Sequence, residues 1–319
     1  MIDRYERKID YLRVSLTEKC NLRCIYCMPQ DIKFEDDFVN DVLSLKDYKT
    51  IIRNFSKLGI TKIRFTGGEP LMYPDLEELI HFTSNECKIK EIAMTSNAIG
   101  LSEKIEKLKE CGLTKVNISL DSFNEEKYRK ITGGGELSEV LKSIDKCLEL
   151  GIKVKINCVF INGMNDSEFE NLINTTIEKP IDVRFIELMP IGQGEKLFKK
   201  GFINLKDKVE KLDNLEIDNR EEKSVAKYYR LKGAKGRIGI ITPMSCSFCS
   251  KCNRIRLTSS GNIKMCLHSE EEIDLKPYLN NDDKFIEFMN NAIKTKPKEH
   301  HLNELKKSET SRKMYQVGG

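Results

Sequence analysis

Short apolar runs rich in β-branched residues alternate with helical segments from residue 12 to residue 188 of this chain. Six runs predict strands: Leu12–Leu16, Ile63–Thr66, Glu91–Thr95, Lys115–Leu120, Val154–Phe160 and Val183–Leu188. The periodic segments between them predict helices: Leu45–Leu58, Asp75–Asn85, Leu101–Cys111, Leu137–Leu150 and Asp166–Ile177. Such alternation is typical of right-handed βαβ units and a parallel sheet, so the predicted fold class is α/β.

Glycines mark the ends of three of the predicted helices. Gly59, Gly112 and Gly151 each stand just before the next predicted strand, where helices commonly end in a left-handed residue. Six strand–helix units are fewer than the eight of a closed TIM-type barrel. We therefore expect a curved, partial (βα)6 barrel of the TIM type, followed by a C-terminal extension.

Polar motifs directly follow four of the predicted strands. In chain order they are a cysteine triplet, Gly67-Gly68-Glu69-Pro70, Thr95-Ser96-Asn97 and Ser119 to Asp121. The carboxyl ends of parallel strands form the mouth of an α/β active site, so we expect these motifs to meet there. A lone pair of glycines is usually only a turn, and the prediction therefore depends on the convergence of all four motifs.

The first cysteine triplet consists of Cys20, Cys24 and Cys27, with C-x₃-C-x₂-C spacing. Three thiolates are one short of the four that close a structural zinc site or an ordinary iron–sulfur cluster. On a four-iron cluster, three ligands would leave one iron open to bind another molecule. The alternative is a zinc knuckle with a distant fourth ligand, but zinc ligands usually form two separated pairs, so the spacing favours a cluster.

A second triplet, Cys249, Cys252 and Cys266, lies near the other end of the chain with C-x₂-C-x₁₃-C spacing. Cys246, three residues upstream, is a candidate fourth ligand that would close a zinc or cluster site. We favour a second open cluster over zinc, because the first triplet already implies cluster-loading machinery. We expect His268 at the surface or behind the ligands rather than as a ligand.

Composition limits the classes of function. The chain has 319 residues, 39% hydrophobic and 33% charged, enough for one large domain and a smaller one, placed at 1–235 and 236–319. Its net charge of +4 is too weak to indicate nucleic acid. The charged N-terminus has no apolar signal region, and no stretch is apolar enough to span a membrane. Eleven cysteines without a secretion signal then predict a reducing, cytoplasmic location.

The N-terminal motifs together resemble the signature of the radical S-adenosylmethionine (SAM) enzymes. In that superfamily the amino and carboxylate groups of SAM bind the open iron of a [4Fe–4S] cluster held by the cysteine triplet. A similar Gly-Gly-Glu-Pro segment lets the backbone approach the SAM amino group, where a Cβ would block close contact. The resemblance implies that SAM is bound by Tyr26, Gly68, Glu69, Asn97, Ser119 and Met189.

The C-terminal motifs narrow the resemblance. The run Cys-Asn-Arg-Ile-Arg-Leu-Thr from Cys252 to Thr258, the second triplet and the Gly-Gly end are similar to the GTP 3′,8-cyclases of molybdenum cofactor biosynthesis. This likeness covers nearly the whole chain and implies two [4Fe–4S] clusters, SAM and the substrate GTP. It also implies a pocket for GTP formed by Arg13, Lys62, Arg64, Thr95, Lys155, Arg184, Arg254 and Arg256.

The basic residues of that pocket are unusual in their positions. Five of them alternate with apolar residues along predicted strands: Arg13, Lys62, Arg64, Lys155 and Arg184. A charged side chain is unfavourable at such a position unless it has a partner inside the barrel. Arginine forms forked bonds with phosphate oxygens, and lysine acts as a point charge. A solvated basic face explains most of the 54 lysines and arginines of the chain, but it does not explain these.

The Gly-Gly end could also have no function, because terminal glycines are usually disordered. In the resembled family this end enters the active site, which implies a catalytic role for Gly318 and Gly319 together with Arg254 and Arg256. Ala98 stands where that family often has glycine, so we expect the loop on the adenosine side to differ.

The resemblance also implies a reaction and partners. An external electron donor such as flavodoxin or ferredoxin reduces the N-terminal cluster, and SAM then cleaves to a radical. That radical removes the hydrogen from C3′ of GTP, and C3′ bonds to C8, which gives 3′,8-cyclo-7,8-dihydro-GTP after reduction and protonation. The product passes to cyclic pyranopterin monophosphate synthase, and the enzyme is expected to be a homodimer.

Two alternative functions belong to other classes of protein. A radical SAM peptide-modifying enzyme with an auxiliary cluster would also carry C-terminal cysteines, but it predicts a peptide-binding domain and further cysteines. A non-catalytic metal-binding protein predicts zinc instead of iron and no binding of SAM.

Overall fold

The structure of the chain, a computed structural model, describes residues 1–32, 42–212, 215–218, 225–245, 248–305 and 307–318. Its strands are β1 (Tyr11–Ser15), β2 (Lys62–Thr66), β3 (Glu91–Ser96), β4 (Lys115–Ser119), β5 (Lys153–Phe160), β6 (Asp182–Glu187), β7 (Leu215–Asp218), β8 (Lys227–Leu231), β9 (Ile238–Ile241), β10 (Arg254–Leu257), β11 (Asn262–Lys264) and β12 (Ile273–Asp274). Its α-helices are α1 (Leu45–Lys57), α2 (Leu76–Asn85), α3 (Leu101–Glu110), α4 (Glu125–Thr132), α5 (Leu137–Glu149), α6 (Phe169–Glu178), α7 (Gln193–Gly201), α8 (Leu205–Val209), α9 (Asp282–Ala292), α10 (Leu302–Leu305) and α11 (Met314–Val317).

The six predicted strands and five predicted helices are all present, and their ends differ from the prediction by at most three residues. Gly59, Gly112 and Gly151 have φ angles of 90°, 113° and 70°, which confirms the left-handed helix ends. Helix α4 was not predicted, because its eight residues carry only Tyr128 and Ile131 as large apolar side chains, too few to show a helical period.

The strands form one sheet in the order β12-β11-β10-β1-β2-β3-β4-β5-β6-β9-β8-β7. Eight of the described strands, from β10 through β1–β6 to β9, run parallel side by side. The short strands beyond β10 and β9 are antiparallel. Strands β12 and β7 stand at the two ends of this order, so the sheet of described strands is not closed, and the predicted partial barrel is confirmed.

The C-terminal segment extends this same sheet on both sides. Strand β9 pairs with β6, and β10 pairs with β1. Ile238 and Ile240 of β9, and Ile255 and Leu257 of β10, belong to the same hydrophobic cluster as the core of the first six strands. The division at residue 235 stays a prediction, but the two segments share one sheet and one core.

The two faces of the sheet differ in character. Leu12 and Val14 of β1 belong to the hydrophobic core, together with apolar side chains of α1 such as Ile51 and Phe55. The alternate residue Arg13 lines a cavity on the inner face. The sheet therefore carries its apolar contacts on the helix side and polar side chains inside the barrel. Among the described residues, no helix has the length and apolar character needed to cross a membrane.

Candidate active site

The inner face of the curved sheet encloses a cavity of about 1270 Å³. All six cysteines of the two triplets line it. The other predicted site residues that line it are Arg13, Tyr26, Lys62, Arg64, Gly68, Glu69, Thr95, Asn97, Ser119, Lys155, Arg184, Met189, Arg254 and Arg256. Of the remaining predicted site residues, Gly318 is described below, and Gly319 lies outside the described residues, as does Cys246.

The first triplet lies in the loop that follows β1. The Sγ atom of Cys20 accepts hydrogen bonds from the backbone N–H of Leu22 at 3.4 Å and from Nδ2 of Asn97 at 3.9 Å. Burial raises the pKa of Cys20 to about 11 and that of Cys27 to about 12. These sulfurs therefore become thiolates only when a bound cation compensates their charge, as iron does.

Gly67 and Gly68 are required by the packing of the chain on itself. A Cβ on Gly68 would lie 2.2 Å from the carbonyl oxygen of Lys19, and one on Gly67 would lie 2.4 Å from that of Thr17. The backbone N–H of Glu69 donates to the Lys19 carbonyl at 2.8 Å. The glycines thus let this segment lie directly on the loop that carries the first triplet, a contact that the sequence reasoning did not foresee.

Glu69 acts on its own chain through its carboxylate. Its two oxygens accept hydrogen bonds from Oγ of Ser96 and from the backbone N–H groups of Leu71 and Asn97, at 2.8 to 3.1 Å. Burial raises the pKa of Glu69 to about 7, although these bonds oppose the shift. The carboxylate therefore fixes the end of β3 and with it Asn97, whose Nδ2 reaches Asn21 at 2.7 Å.

Ala98 takes the conformation that glycine would favour. Its φ angle is 65°, and it is fully buried. Its N–H donates to Oγ of Ser96 at 2.9 Å, and its carbonyl accepts from Oγ of Ser143 at 2.7 Å. These two bonds hold the left-handed turn in place without the glycine that the resembled family often has there.

Tyr26 is oriented by a residue to which the sequence reasoning gave no role. Its hydroxyl donates to Oδ2 of Asp121 at 2.8 Å, and the backbone N–H of Val159 donates to Oδ1 at 2.8 Å. Burial raises the pKa of Asp121 to about 6. Its position two residues after Ser119 was the only signal in the sequence, and many loops carry an aspartate there.

Strand pairing brings three arginines to one level of the barrel. Arg13 lies opposite Arg256 on β10 and opposite Arg64 on β2. Burial, followed by the charge of Arg256, lowers the pKa of Arg13 well below its usual value, and the pKa of Arg256 falls to about 10. We call the five buried or partly buried arginines of the cavity the arginine layer: Arg13, Arg64, Arg184, Arg254 and Arg256.

The arginine layer carries a large excess of positive charge. Among the described residues, Arg64, Arg184, Arg254 and Arg256 form no ion pair with a carboxylate. Arg184 instead donates to Oδ1 of Asn117 at 2.5 Å. A Cβ on Gly239 would lie 2.9 Å from Cγ of Arg184, so this glycine on β9 provides the space for that side chain.

The two lysines of the predicted GTP pocket, unlike these arginines, lie close to carboxylates. Nζ of Lys155 lies 3.1 Å from Asp182 and 2.8 Å from the hydroxyl of Tyr228, and Nζ of Lys62 lies 3.1 Å from Glu91. Their charges are therefore partly balanced by carboxylates, whereas Arg64, Arg184, Arg254 and Arg256 have no such partner in the described part of the chain.

Tyr11 is a cavity residue that the sequence reasoning missed. It is 6% exposed, and within the described part of the chain its hydroxyl has no hydrogen-bond partner. Lys62, Arg64 and Arg254 lie 5.1 to 5.9 Å from its ring centre. Burial raises the pKa of Tyr11, but the surrounding cations, led by Arg64, outweigh burial and lower it to about 8. An aromatic residue in a strand is normally taken as core, so its role had no signal.

The second triplet lies at the opposite end of the cavity from the first. Cys252 lies two residues before β10 begins, whereas Cys20 follows β1, and these two strands are parallel and paired. The arginine layer lies on the strands between the two triplets. Within the described ranges, no three His, Cys, Asp or Glu side chains are grouped closely enough to hold one metal ion. A four-iron cluster is larger than one ion, and its ligands bind separate irons.

Both segments of the chain match models of known families. Residues 14–176 match the radical SAM superfamily, and residues 181–302 match the family Molybdenum Cofactor Synthesis C. The chain is also 48% identical to a GTP 3′,8-cyclase of Clostridium botulinum, and the alignment covers 100% of both chains. The chain belongs to the GTP 3′,8-cyclase family. A relative of the same name from Alkaliphilus oremlandii is likewise 48% identical over 100% of both chains.

The solved structures add support for the fold. Streptococcus suis SuiB bound to S-adenosylmethionine is similar with a TM-score of 0.60, at 18% identity over 91% of this chain and 68% of that one. At this identity the likeness shows a shared fold only. As a member of the radical SAM superfamily, this GTP 3′,8-cyclase family chain uses an iron–sulfur cluster and SAM. The three cysteines, Asn97 and the close-lying Gly68 backbone fit that pair of cofactors.

The C-terminal tail of this family member reaches the arginine layer. Nη1 of Arg256 donates to the carbonyl oxygens of Val317 at 3.1 Å and Gly318 at 2.6 Å. A Cβ on Gly318 would lie 2.2 Å from Cγ2 of Thr66, a cavity residue on β2. Gly318 thus lies inside the barrel, and its catalytic role stays a prediction.

His268 is buried beside the second triplet, so of its two expected positions the surface one is wrong. It is 5% exposed, and its Nδ1 lies 3.1 Å from Oγ of Ser308. Its ring packs on that of His300, with centres 4.7 Å apart. Burial lowers the pKa of His268 to about 3, so it stays neutral at working pH. His300, which the sequence reasoning missed, also lines the cavity, and Cys249 beside it raises the pKa of His300 above its usual value.

Proposed function

We propose that this chain binds GTP in the barrel cavity and cyclises it to 3′,8-cyclo-7,8-dihydro-GTP, an early step of molybdenum cofactor biosynthesis. The observation that carries the proposal is the arginine layer between two cysteine triplets in one cavity, since Arg64, Arg184 and Arg256 are buried without a carboxylate partner among the described residues. The names of the full-length relatives support the same substrate.

Two [4Fe–4S] clusters serve this reaction in our proposal. Cys20, Cys24 and Cys27 hold the first, and Cys249, Cys252 and Cys266 hold the second. When bound, the first cluster and SAM supply a carbon radical that can take a hydrogen atom from C3′ of the ribose. Tyr26, held by Asp121, and Asn97, held by Glu69, orient SAM at one end of the cavity.

The arginine layer binds the triphosphate through forked hydrogen bonds. A nucleotide held there has room for its base toward the second triplet and for its ribose toward the first. Three buried polar atoms that lack partners among the described residues are available to it: the Tyr11 hydroxyl, Oγ1 of Thr95 and Oδ1 of Asn157. The main contribution of the protein to the reaction is to hold C3′ close to C8, because reacting atoms that are held in the right orientation react faster than atoms that must meet by chance.

This charge distribution favours the cyclase over the peptide-modifying alternative. A peptide substrate gives no reason for three buried arginines and one partly buried arginine without carboxylate partners in the described residues, since an unbalanced buried charge is costly. We further propose that flavodoxin or ferredoxin donates the electron and that cyclic pyranopterin monophosphate synthase takes the product. We also propose that the enzyme works as a homodimer in the cytoplasm.

The test is an anaerobic assay of the reconstituted protein with SAM, dithionite and either GTP or ATP. We expect 5′-deoxyadenosine and a cyclised nucleotide with GTP, and neither product above background with ATP. Arg256→Gln should lower turnover on GTP at least 10-fold, by loss of a charged hydrogen bond of about 1.5–3 kcal/mol. The matched control is Arg129→Gln on α4, whose side chain is 53% exposed and pairs with Glu136. Formation of 5′-deoxyadenosine that does not depend on GTP would refute the substrate.

A further inference from the structure

Lys296 is a buried cation that the proposed mechanism does not use. It follows the short 3₁₀ turn Ile293–Thr295 and is 2% exposed. Its Nζ donates to the carbonyl oxygens of Arg254 at 2.8 Å and Met265 at 2.5 Å. Arg254 stands two residues after Cys252, and Met265 stands directly before Cys266, so one ammonium group ties together both segments that carry these cysteines.

The charge of Lys296 has no carboxylate partner within the described part of the chain. Lys264 provides the contrast: it is fully buried too, but its Nζ lies 3.2 Å from Glu272. A buried ammonium needs a compensating negative charge, because two carbonyl dipoles replace only part of its hydration. The sulfurs of the second triplet, as thiolates, are the groups that can supply this negative charge.

A second buried cation also bonds to the backbone of this triplet. Arg7, which donates to the carbonyl of Cys249 at 2.8 Å, is different, because Asp3 at 2.6 Å balances its charge. Lys296 is thus the cation beside the second triplet that combines complete burial, a bond to each cysteine segment and no carboxylate partner among the described residues.

We propose that Lys296 is a positioning residue of the second triplet, which fixes its two cysteine segments and supplies the positive charge that raises the reduction potential of the cluster held there. The inference rests on the proposed second cluster. An added electron makes a cluster more negative, and a fixed cation beside it stabilises that reduced state. Loss of the cation therefore makes the cluster harder to reduce.

The experiment uses the full chain with Cys20→Ser, Cys24→Ser and Cys27→Ser, so that the second cluster is measured alone. Lys296→Gln removes the charge and keeps a hydrogen-bond donor, and Lys296→Met removes both. Lys264→Met is the matched control, since it removes a buried ammonium that has its own carboxylate partner. Each protein is reconstituted anaerobically with iron and sulfide, and iron content and the reduction potential are measured by a titration followed by electron paramagnetic resonance.

We expect about four irons per chain in the parent and in Lys296→Gln, with a lower reduction potential in the variant. Lys296→Met should lose iron or show the same lowered potential, and Lys264→Met should match the parent. Lys296→Arg, which restores the charge, should return the potential toward that of the parent. If Lys296→Met does not fold, as judged by circular dichroism, the reduction potentials of Lys296→Gln and Lys296→Arg test the proposal.

Full iron content with an unchanged potential in Lys296→Gln would overturn the proposal. So would an equal shift in Lys264→Met, because that result would indicate a general effect of lost buried cations. A parent protein that binds zinc or no metal would instead refute the second cluster itself, which is a separate failure and is visible before any lysine is changed.

Discussion

At the scale of residues, the arginine layer brings like charges together in a buried space. Arg13, Arg64 and Arg256 are neighbours through strand pairing, and burial together with the charges of other arginines in the layer lowers the pKa of each. Repulsion of this kind weakens the folded state and is relieved when an anion binds between the charges. Binding of a polyanion should therefore stabilise the fold itself.

The first prediction follows from that relief. GTP should raise the melting temperature of the protein more than GDP, and GDP more than GMP, because each phosphate adds charge opposite the arginines. A ligand at 100 times its Kd stabilises the folded state by about 2.7 kcal/mol. Scanning calorimetry measures the shift, which should shrink in high salt and in Arg64→Gln. Equal shifts for all three nucleotides would contradict a phosphate site.

The second prediction concerns the ionisation of Tyr11. Its pKa of about 8 lies below the ordinary value of 10, so one tyrosine should ionise early in an ultraviolet difference titration. Tyrosinate favours the folded state above pH 10, and this contribution is lost as the pH falls through 8. It also adds a negative charge beside the arginines, so affinity for GTP should fall as the pH rises through 8. Tyr11→Phe should remove both effects, whereas an unchanged titration in that variant would refute the assignment.

The sequence predicted the charged cavity residues better than the residues that hold them. Arg13 and Arg184 are conspicuous because charge is rare in a buried strand. Asp121 and Lys296 carry no such signal, since an aspartate in a loop and a lysine in a polar segment are ordinary in sequence. Their burial depends on contacts between residues far apart in the chain, which a local pattern cannot contain.

At the scale of elements, the segment after β2 and the loop after β1 form one unit. The backbone of Gly68 and Glu69 lies on the carbonyls of Thr17 and Lys19, with N–H···O distances of 2.6 and 2.8 Å. The loop that holds the first triplet is therefore shaped by its neighbour as much as by its own residues. A change in the glycine segment should then be measurable as a change in the metal site.

The third prediction tests this contact with Gly68→Ala. The added Cβ meets backbone rather than a flexible side chain, so the variant should lose about 3 kcal/mol of unfolding free energy. It should also lose iron from the first triplet. Gly100→Ala is the control, because nothing lies within 4 Å of its Cβ and only its φ angle of 73° opposes alanine. Urea unfolding and iron analysis measure both variants, and full iron in Gly68→Ala would count against the coupling.

The fourth prediction tests the contact between the tail and β2. Gly318→Ala should displace the tail, because its Cβ would clash with Cγ2 of Thr66 and its φ angle of 71° favours glycine. Adding Thr66→Ala removes the clash and should restore part of the protection of the tail from proteolysis. Thr66→Ala alone supplies the baseline. A tail equally protected in Gly318→Ala and the wild type would contradict the described position.

The elements that the sequence did not predict share a physical cause. Strands β7 to β12 are short, all but β8 having four residues or fewer, so they show no clear period, and each is held in the sheet by pairing with a neighbouring strand. The strands β1–β6 were predicted closely, since each carries apolar, often β-branched residues between segments of helical periodicity. Local pattern thus determined the central strands, and tertiary pairing determined the edges.

At the scale of the whole molecule, the sheet joins the two segments that the sequence analysis separated at residue 235. A chain cut there would expose the edges of β1 and β6, which β10 and β9 cover in the full structure. Exposed edges of apolar parallel strands promote association with other chains. The boundary between the segments therefore runs through a shared core.

The fifth prediction uses the fragment 1–235. It should aggregate or unfold without a cooperative transition, because it lacks Ile238, Ile240, Ile255 and Leu257 of the common core. Size-exclusion chromatography and urea unfolding measure this directly. Co-expression with the fragment 236–319 should recover soluble protein. A monomeric fragment 1–235 that unfolds cooperatively would support two independent domains and contradict our interpretation.

The pairing of β1 with β10 also has a consequence for how fast the chain acquires its structure. The first strand is central in the finished sheet, yet one of its neighbours comes from the last quarter of the chain, and Arg7 donates to a carbonyl 242 positions away. Contacts between such distant positions slow folding, because a long loop must close before they form. During this delay the first three cysteines lie in an unfinished barrel, open to oxygen. Iron delivery and barrel closure are therefore in competition with oxidation, and the yield of active enzyme should depend on how little oxygen is present while the chain folds.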